Sequence, residues 1–327
     1  MNSINNKIVL LIGIGFYDYE KCIIEALNKR GAKVSYFSSS YNSFAKRFLQ
    51  RLGLNNYARL LASKNILRKI SNQPDKIDLI IVIKAENMEQ EHLALINNKY
   101  KQTHKVLYLW DSLNRLPNKD LLLRNFDTIL TFDRKDAIEY NLFFRPLFYR
   151  ERQTTESSDI DYDISFVGRM HSHRYKIIHE LKKKLDADGL SYKLILYTGK
   201  FTKFVNLYLT HKFFQEDKEI FVTKRISFEE YSEISKRSNV ILDISHPLQS
   251  GLTMRTIETF GFGKKLLTTN SDIIHYNLHN DSYRVLDDDY NIDCSYIKER
   301  KIIKEDVSPY SLDCFVDDIL KCAKFHV

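Results

Sequence analysis

No run of eighteen or more apolar residues occurs in this sequence, which excludes a membrane-crossing helix of ordinary length. The opening MNSINNKIVLLIGIGFYDYE lacks the long apolar region and small-residue cleavage site of a secretory leader. Cysteine is sparse: Cys22, Cys294, Cys314 and Cys322 are scattered, with no CxxC pair. That favours free thiols in a reducing cytoplasm and argues against a structural zinc site. A third glycine is missing where a dinucleotide turn needs one. GIGFYD supplies Gly13 and Gly15, but Asp18 stands in the third position. The next strand ends in Ser38-Ser39-Ser40, not in an acid that would hold a ribose. The NAD reading is therefore weak.

What is present is globular composition. The chain has 327 residues, 43% hydrophobic and 28% charged, a length that suits two domains with a core each. The net charge of +8 is lopsided: residues 1–150 carry 24 Lys+Arg against 14 Asp+Glu, and the remaining 177 carry 26 against 28. The excess in the first half points to an anionic partner there: a membrane surface, a phosphorylated acceptor or nucleic acid.

Strand-like and helix-like segments alternate. In the first half, strands are expected at 7–13, 33–39, 79–85, 105–112 and 128–133, with helices at 19–30, 88–97 and 118–125. The polar stretch RERQTTESSDIDYD breaks the pattern. Strands resume at 163–168, 192–199, 219–224, 239–245, 264–270 and 282–287, with helices between them and a terminal helix at about 309–324. Such β-α-β order implies parallel sheets. The expected division is residues 1–152, a linker at 153–162 and a second domain at 163–327, whose terminal helix can pack back on the first.

The stretch SGLTMRTIETFGFGKKLLTTN, residues 250–270, carries the most chemistry. It follows the strand NVILDIS, so Ser250, Gly251, Leu252 and Thr253 fall at the start of a helix. Free N–H groups and the positive dipole end there suit an anion. Gly251 lets a phosphate approach the backbone, and Arg255 is placed to grip a diphosphate bidentately. Glu258 lies five residues past Thr253, about 7.5 Å along the axis at 1.5 Å per residue. That is roughly the offset from a diphosphate to its ribose hydroxyls, which a carboxylate accepts well.

This stretch resembles the nucleotide-sugar helix of GT-B glycosyltransferases, in which a small-residue loop leads into a helix with a ribose-binding glutamate. Lys264-Lys265 stand where that pattern commonly has proline. YDISFVGRMHSHRYKII and FVTKRISFEEYSEISKRSNVILDIS resemble other parts of the same C-terminal domain. VLYLWDSL and FDTILTFDRKDAIEYNLFFRPLFY are similar to segments of bacterial transferases of capsule and lipopolysaccharide synthesis, near the CgeB-like group. The resemblance implies an α/β, GT-B architecture: two Rossmann-like domains facing each other across a cleft. It implies a nucleotide-sugar donor on the second domain, of UDP-galactose or galactofuranose type, and a glycan or lipid-linked acceptor on the first.

Around that frame, Arg169, His171 and Arg174 follow the first strand of the second domain and can face the diphosphate or the sugar. His246 lies between a strand and the nucleotide helix. His171 and His173 have no acidic or cysteine companion in sequence, so no metal is expected. Asp287 to Asp289 read as an acidic turn, although they have the form of a metal-binding DxD. An inverting transferase needs a general base against the acceptor hydroxyl. Asp18 is the first candidate and Asp111 the second; Glu86 also ends a strand. A retaining enzyme needs no such base. Residues 43–70 carry seven basic residues and no acidic one. Phe44, Phe48, Leu49 and Leu52 share one helical face. Two readings stand: packed helices with a solvated basic side, or a face that docks on an anionic membrane. No nucleic-acid motif accompanies the charge. The function read from sequence is a cytoplasmic, peripherally membrane-associated, metal-independent glycosyltransferase. The alternatives are a non-catalytic nucleotide or phosphosugar binder of the same fold and, ranked after it, a nucleic-acid-binding protein.

Overall fold

Leu79–Ile83, LIIVI, is buried at every position, as are Ser238–Asp243 and Lys265–Thr268. Runs of that kind need cover on both faces, which parallel sheets flanked by helices supply. The computed structural model describes residues 4–15, 18–41, 43–153, 159–170, 172–210, 212–301, 303 and 305–325. It divides into two units. The first comprises 1–150 with Leu248–Gly251 and Ser308–Val327; the second comprises Glu151–Pro247 and Leu252–Val307. Half of the expected linker, residues 154–158, lies outside the described residues.

In the first unit the strands are β1 (Ile8–Gly13), β2 (Lys33–Ser38), β3 (Leu79–Ile83), β4 (His104–Leu109), β5 (Thr128–Thr131) and β6 (Phe143–Phe144). Their order is β2-β1-β3-β4-β5-β6, and every pairing is parallel. Leu10, Ile12, Ile80, Val82, Leu107 and Leu109 pack a core against Ile66, Ile70, Leu93 and Ile96 of the flanking helices. The terminal helix Leu312–Cys322 closes the other face. Arg30, its side chain fully buried, donates to Asp317 and pairs with Asp313, and Phe315 lies 4.7 Å from Phe148.

The second unit holds β7 (Tyr162–Arg169), β8 (Tyr192–Tyr197), β9 (Phe221–Val222), β10 (Ser238–Asp243), β11 (Lys265–Thr268) and β12 (Tyr283–Val285). The order is β12-β11-β10-β7-β8-β9, again all parallel. Local sequence sets the helix starts. Ser227 and Glu230 form a capping box for Phe228–Lys236, and the Thr253 hydroxyl caps Met254–Gly261. No described helix is long and apolar enough to cross a membrane.

Candidate active site

In the second unit the chain leaves β7 toward β8 on one side and leaves β10 toward β11 on the other, while β7 and β10 pair directly. A crevice beyond the carboxyl ends of such a strand pair is where open parallel sheets bind ligands. The helices Ser172–Ala187 and Met254–Gly261 begin there.

Asp243 closes β10 and is fully buried. Its Oδ1 accepts from Arg255 Nη1 at 2.8 Å. Its Oδ2 accepts from the hydroxyls of Thr253 at 2.9 Å and Thr256 at 2.7 Å. Arg255 Nη2 donates to the Val167 carbonyl at 2.5 Å. Gly168 makes room for this: a Cβ there would stand 3.0 Å from Arg255 Nη2 and 2.7 Å from Phe166 Cζ. Arg174 donates Nη1 to the Arg169 carbonyl at 2.8 Å and Nη2 to that of Ile244 at 2.7 Å. Both guanidiniums lie near the buried Phe166 ring, 5.6 Å (Arg174) and 4.7 Å (Arg255) from its centroid, an arrangement in which ring quadrupole and cation attract.

The electrostatics do not balance. Burial, together with the charge of Arg255, pushes the Arg174 guanidinium down to about 10, against the opposing pull of Asp243. Two guanidiniums thus share the influence of one carboxylate. The Nε–H groups of Arg174 and Arg255 are both shielded from solvent and have no partner among the described residues. The surplus positive charge is what an incoming anion would balance.

The sequence-based assignments fare unevenly. Arg255 was expected to reach outward to a diphosphate. Its terminal nitrogens turn inward instead, because Asp243 at the end of a buried strand requires a counter-charge. Thr253 is likewise committed, giving its proton to Asp243 and accepting from Thr256 N at 3.2 Å. Leu252 buries its side chain. Glu258 is only 2% exposed; burial, with the Glu258 carboxylate nearby, pushes the Tyr231 phenol up. Arg169 ends β7 exposed. His246 is half-buried, edge-on to His173 with ring centroids 6.0 Å apart. His171 lies outside the described residues.

Ser250 and Gly251 belong to the first unit. Ser250 donates both its N–H (3.0 Å) and its hydroxyl to the Asp133 carboxylate. A Cβ on Gly251 would stand 2.6 Å from two atoms of the Phe132 ring. Phe132 therefore requires a glycine at this position. Burial opposes ionisation of Asp133, but hydrogen bonds from Ser112, Ser250 and Gly251 hold its carboxyl below the usual range. Asp136 beside it is pushed up to about 6 by burial and by Asp133, although the Leu113 N–H opposes this.

Asp18 stands exposed in a left-handed conformation, φ 61°, at the start of Tyr19–Lys29, and makes no side-chain cap. The turn after β1 is ligated from within. Glu20 accepts from the N–H groups of Ile14 at 2.7 Å and Gly15 at 3.1 Å, where a dinucleotide fold would place a pyrophosphate. Asp111 is paired with two cations: Lys84 lies 3.0 Å from Oδ2 and Arg115 2.7 Å from Oδ1. Asp287 accepts from Asn291 N and Nδ2, each at 2.8 Å, as an acidic turn does. Among the described residues no group of three or more His, Cys, Asp or Glu is arranged to hold a metal. Sequence reasoning missed Asp243, Gly168 and Glu20; the acid closing the apolar run NVILD was the one visible signal.

No protein-family model matches the chain, and no curated protein matches it in sequence. Solved structures do match in fold. HepE of Anabaena, in complex with UDP and glucose, is 12% identical, with a TM-score of 0.54 over 98% of both chains. The UDP-forming α,α-trehalose-phosphate synthase of Burkholderia xenovorans is 8% identical, with a TM-score of 0.61 over 98% of this chain and 100% of that one. The UDP-GlcNAc 2-epimerase of Neisseria meningitidis, bound to UDP-GlcNAc, is 9% identical, with a TM-score of 0.51 over 98% and 100%. At such identities the likeness establishes architecture: the chain has the GT-B fold of glycosyltransferases.

Proposed function

We propose that this protein is a glycosyltransferase that moves a sugar from a UDP-sugar to a surface glycan or lipid-linked acceptor. The carrying observation is the imbalance at the ends of β7 and β10, where two half-buried arginines face one carboxylate. The diphosphate of a nucleotide-sugar is the complementary group. The choice of uridine draws on HepE and the epimerase, which were solved with UDP and UDP-GlcNAc.

In this reading Arg174 meets the diphosphate and stabilises the charge that grows on it as the sugar leaves. Arg255 acts through Asp243, fixing the start of the Met254–Gly261 helix so that its N–H end faces the same group. Glu258 takes the ribose. Asp18 serves as general base if transfer inverts the anomeric centre. With two cations and two helix ends supplying positive potential, the reading requires no divalent ion.

Peripheral membrane attachment is part of the proposal. The helix Phe44–Arg51 buries none of its residues. Phe44 and Phe48 are 76% and 53% exposed and stack on each other, with Arg47 and Arg51 on the same helix. An aromatic face in a segment without acids suits an anionic lipid leaflet, in keeping with the resemblance to capsule and lipopolysaccharide transferases. Calorimetric titration with UDP, GDP, dTDP and CMP tests the site. UDP should bind, and Arg174→Ala should weaken it at least tenfold. Failure of all four to bind would remove the donor site.

A further inference from the structure

The second unit carries an apolar surface that the donor chemistry does not use. A short helix, Lys200–Phe204, runs directly into a π-helical turn, Val205–Leu209. Leu207 and Phe213 are buried and join the core of the unit. Phe201, Phe204, Tyr208, Leu209 and Phe214 are instead exposed, by 80, 52, 53, 63 and 52%. Phe201, Phe204 and Tyr208 are spaced three and four apart, which places them along one helix face. The rings of Phe204 and Tyr208 lie 5.5 Å apart. Five large apolar side chains exposed between residues 201 and 214 are more than scattered exposure. A patch of that kind marks an interaction surface.

A buried polar anchor holds the patch in place. Asp217 Oδ2 accepts from the Tyr175 hydroxyl at 2.7 Å and pairs with His179 Nδ1 at 2.6 Å. The Tyr175 oxygen in turn accepts from Phe214 N at 2.8 Å, and the His179 ring stacks on Phe214 with centroids 4.3 Å apart. Lys203 Nζ donates to the carbonyls of Lys218 at 2.9 Å and Phe221 at 2.6 Å. The segment is thus pinned with its rings outward. That arrangement leaves apolar area in water which burial would stabilise.

Charge selects what covers it. Between Asp188 and Glu216 the sequence has no acidic residue, whereas it has Lys193, Lys200, Lys203 and Lys212. Lys200 and Lys212 are exposed. Of the nearby acids, Asp217 is held in the anchor and Glu180 is paired with Lys183 at 3.2 Å. Past the patch, the exposed Glu216 and Glu219 are separated by Lys218. A second copy of the chain would set lysines against lysines, an unfavourable juxtaposition. An anionic bilayer offers headgroup charge to the lysines and interfacial depth to Phe and Tyr rings.

We propose that residues 200–209, with Phe214, dock the second unit on an anionic lipid bilayer. Phe201, Phe204, Tyr208 and Leu209 enter the boundary between headgroups and acyl chains, and Lys200 and Lys212 meet the lipid phosphates. This face belongs to the second unit, whereas the helix Phe44–Arg51 belongs to the first. It depends neither on that helix nor on the donor chemistry.

Tryptophan fluorescence tests this, because Trp110, half-buried in the first unit, is the sole tryptophan. Phe201→Trp adds one reporter, read as the difference from wild type. With phosphatidylglycerol vesicles at low salt its emission should move to the blue and be quenched by brominated lipid. With phosphatidylcholine vesicles it should do neither. Phe201→Ser combined with Phe204→Ser and Leu209→Ser should keep the melting temperature, since all three side chains are exposed. It should weaken binding to phosphatidylglycerol vesicles about tenfold, because buried apolar area sets the strength of such docking. Pelleting without any change at residue 201 would overturn the inference and leave the lipid contact to Phe44–Arg51. Equal changes with both lipids would also overturn it. So would a dimer that the triple variant loses while vesicle binding stays intact, which assigns the face to a second copy. No vesicle binding at all would remove both faces.

Discussion

Arg255 donates to Asp243 across 2.8 Å, whereas Arg174, whose charge bears on the same pair, donates to the carbonyls of Arg169 and Ile244. One arginine is therefore neutralised inside the protein and the other is not. The two should respond differently to removal.

Arg255→Ala leaves a fully buried carboxylate with two threonine hydroxyls and no cation. Breaking a buried pair in this way costs about 3 kcal/mol or more, so thermal unfolding should fall by several degrees. Arg174→Ala removes a like charge from Arg255 and should leave stability nearly unchanged. It should weaken UDP binding by ~1.5–3 kcal/mol, the scale of hydrogen bonds to charged groups. Thermal shift and calorimetry on both variants check the split.

Asp136 provides a pH test. Its carboxyl is pushed from 3.8 to about 6 in the folded chain, burial being the first cause. Between those values the folded state holds the proton and the unfolded state does not, so this group's contribution to stability falls as pH rises through that window. Above it the penalty is complete. Asp136→Asn, which keeps an acceptor for the Leu113 N–H (2.7 Å in the wild type), should raise the melting temperature at pH 7.5 and change it little near pH 4. An equal gain at both would exclude the ionisation as cause.

The two readings of residues 43–70 now separate. Because Phe44–Arg51 buries no residue, Phe44→Ser with Arg47→Glu and Arg51→Glu should leave the melting temperature unchanged. The same variant should no longer pellet with phosphatidylglycerol vesicles at low salt, while wild type does and is released by high salt. Pelleting that ignores lipid charge would reduce this face to ordinary surface.

Asp18 is exposed, whereas Asp111 is paired with Lys84 and Arg115, and Asp18 is the base proposed above. Asp18→Asn should lower kcat for transfer by ~10²–10⁴, the range of general-base catalysis, without changing donor affinity. An unchanged kcat would indicate retention or another base.

Strand periodicity and the β-α alternation were legible in the sequence, because parallel strands buried on both faces leave unbroken runs such as LIIVI and NVILD. β6 was not, since Phe143–Phe144 is a two-residue edge whose side chains are exposed. EIFVTK promised more strand than the two residues of β9. The helix Cys294–Lys298 is too short for periodicity to show. At the site, the position of the nucleotide helix was readable but the direction of its side chains was not. Arg255 turns inward because Asp243 ends β10, the strand that leads into its own helix, and because β7 pairs with β10 and brings the Val167 carbonyl within reach, which requires the sheet order. Lys84 meets Asp111 for the same reason: they follow β3 and β4, which pair through Ile83 and Tyr108. The segment Leu248–Gly251 grouped with the first unit through Asp133, a partner 117 residues away from Ser250.

The most direct measurement of the central claim is UDP release from UDP-sugars by the wild-type protein, with and without membrane-extracted lipid-linked glycan, in EDTA. The account predicts release from at least one UDP-sugar, stimulated by the glycan, persisting in EDTA and lost in Arg174→Ala. No release from any UDP-sugar by a folded protein, or release unaffected by Arg174→Ala, would contradict it.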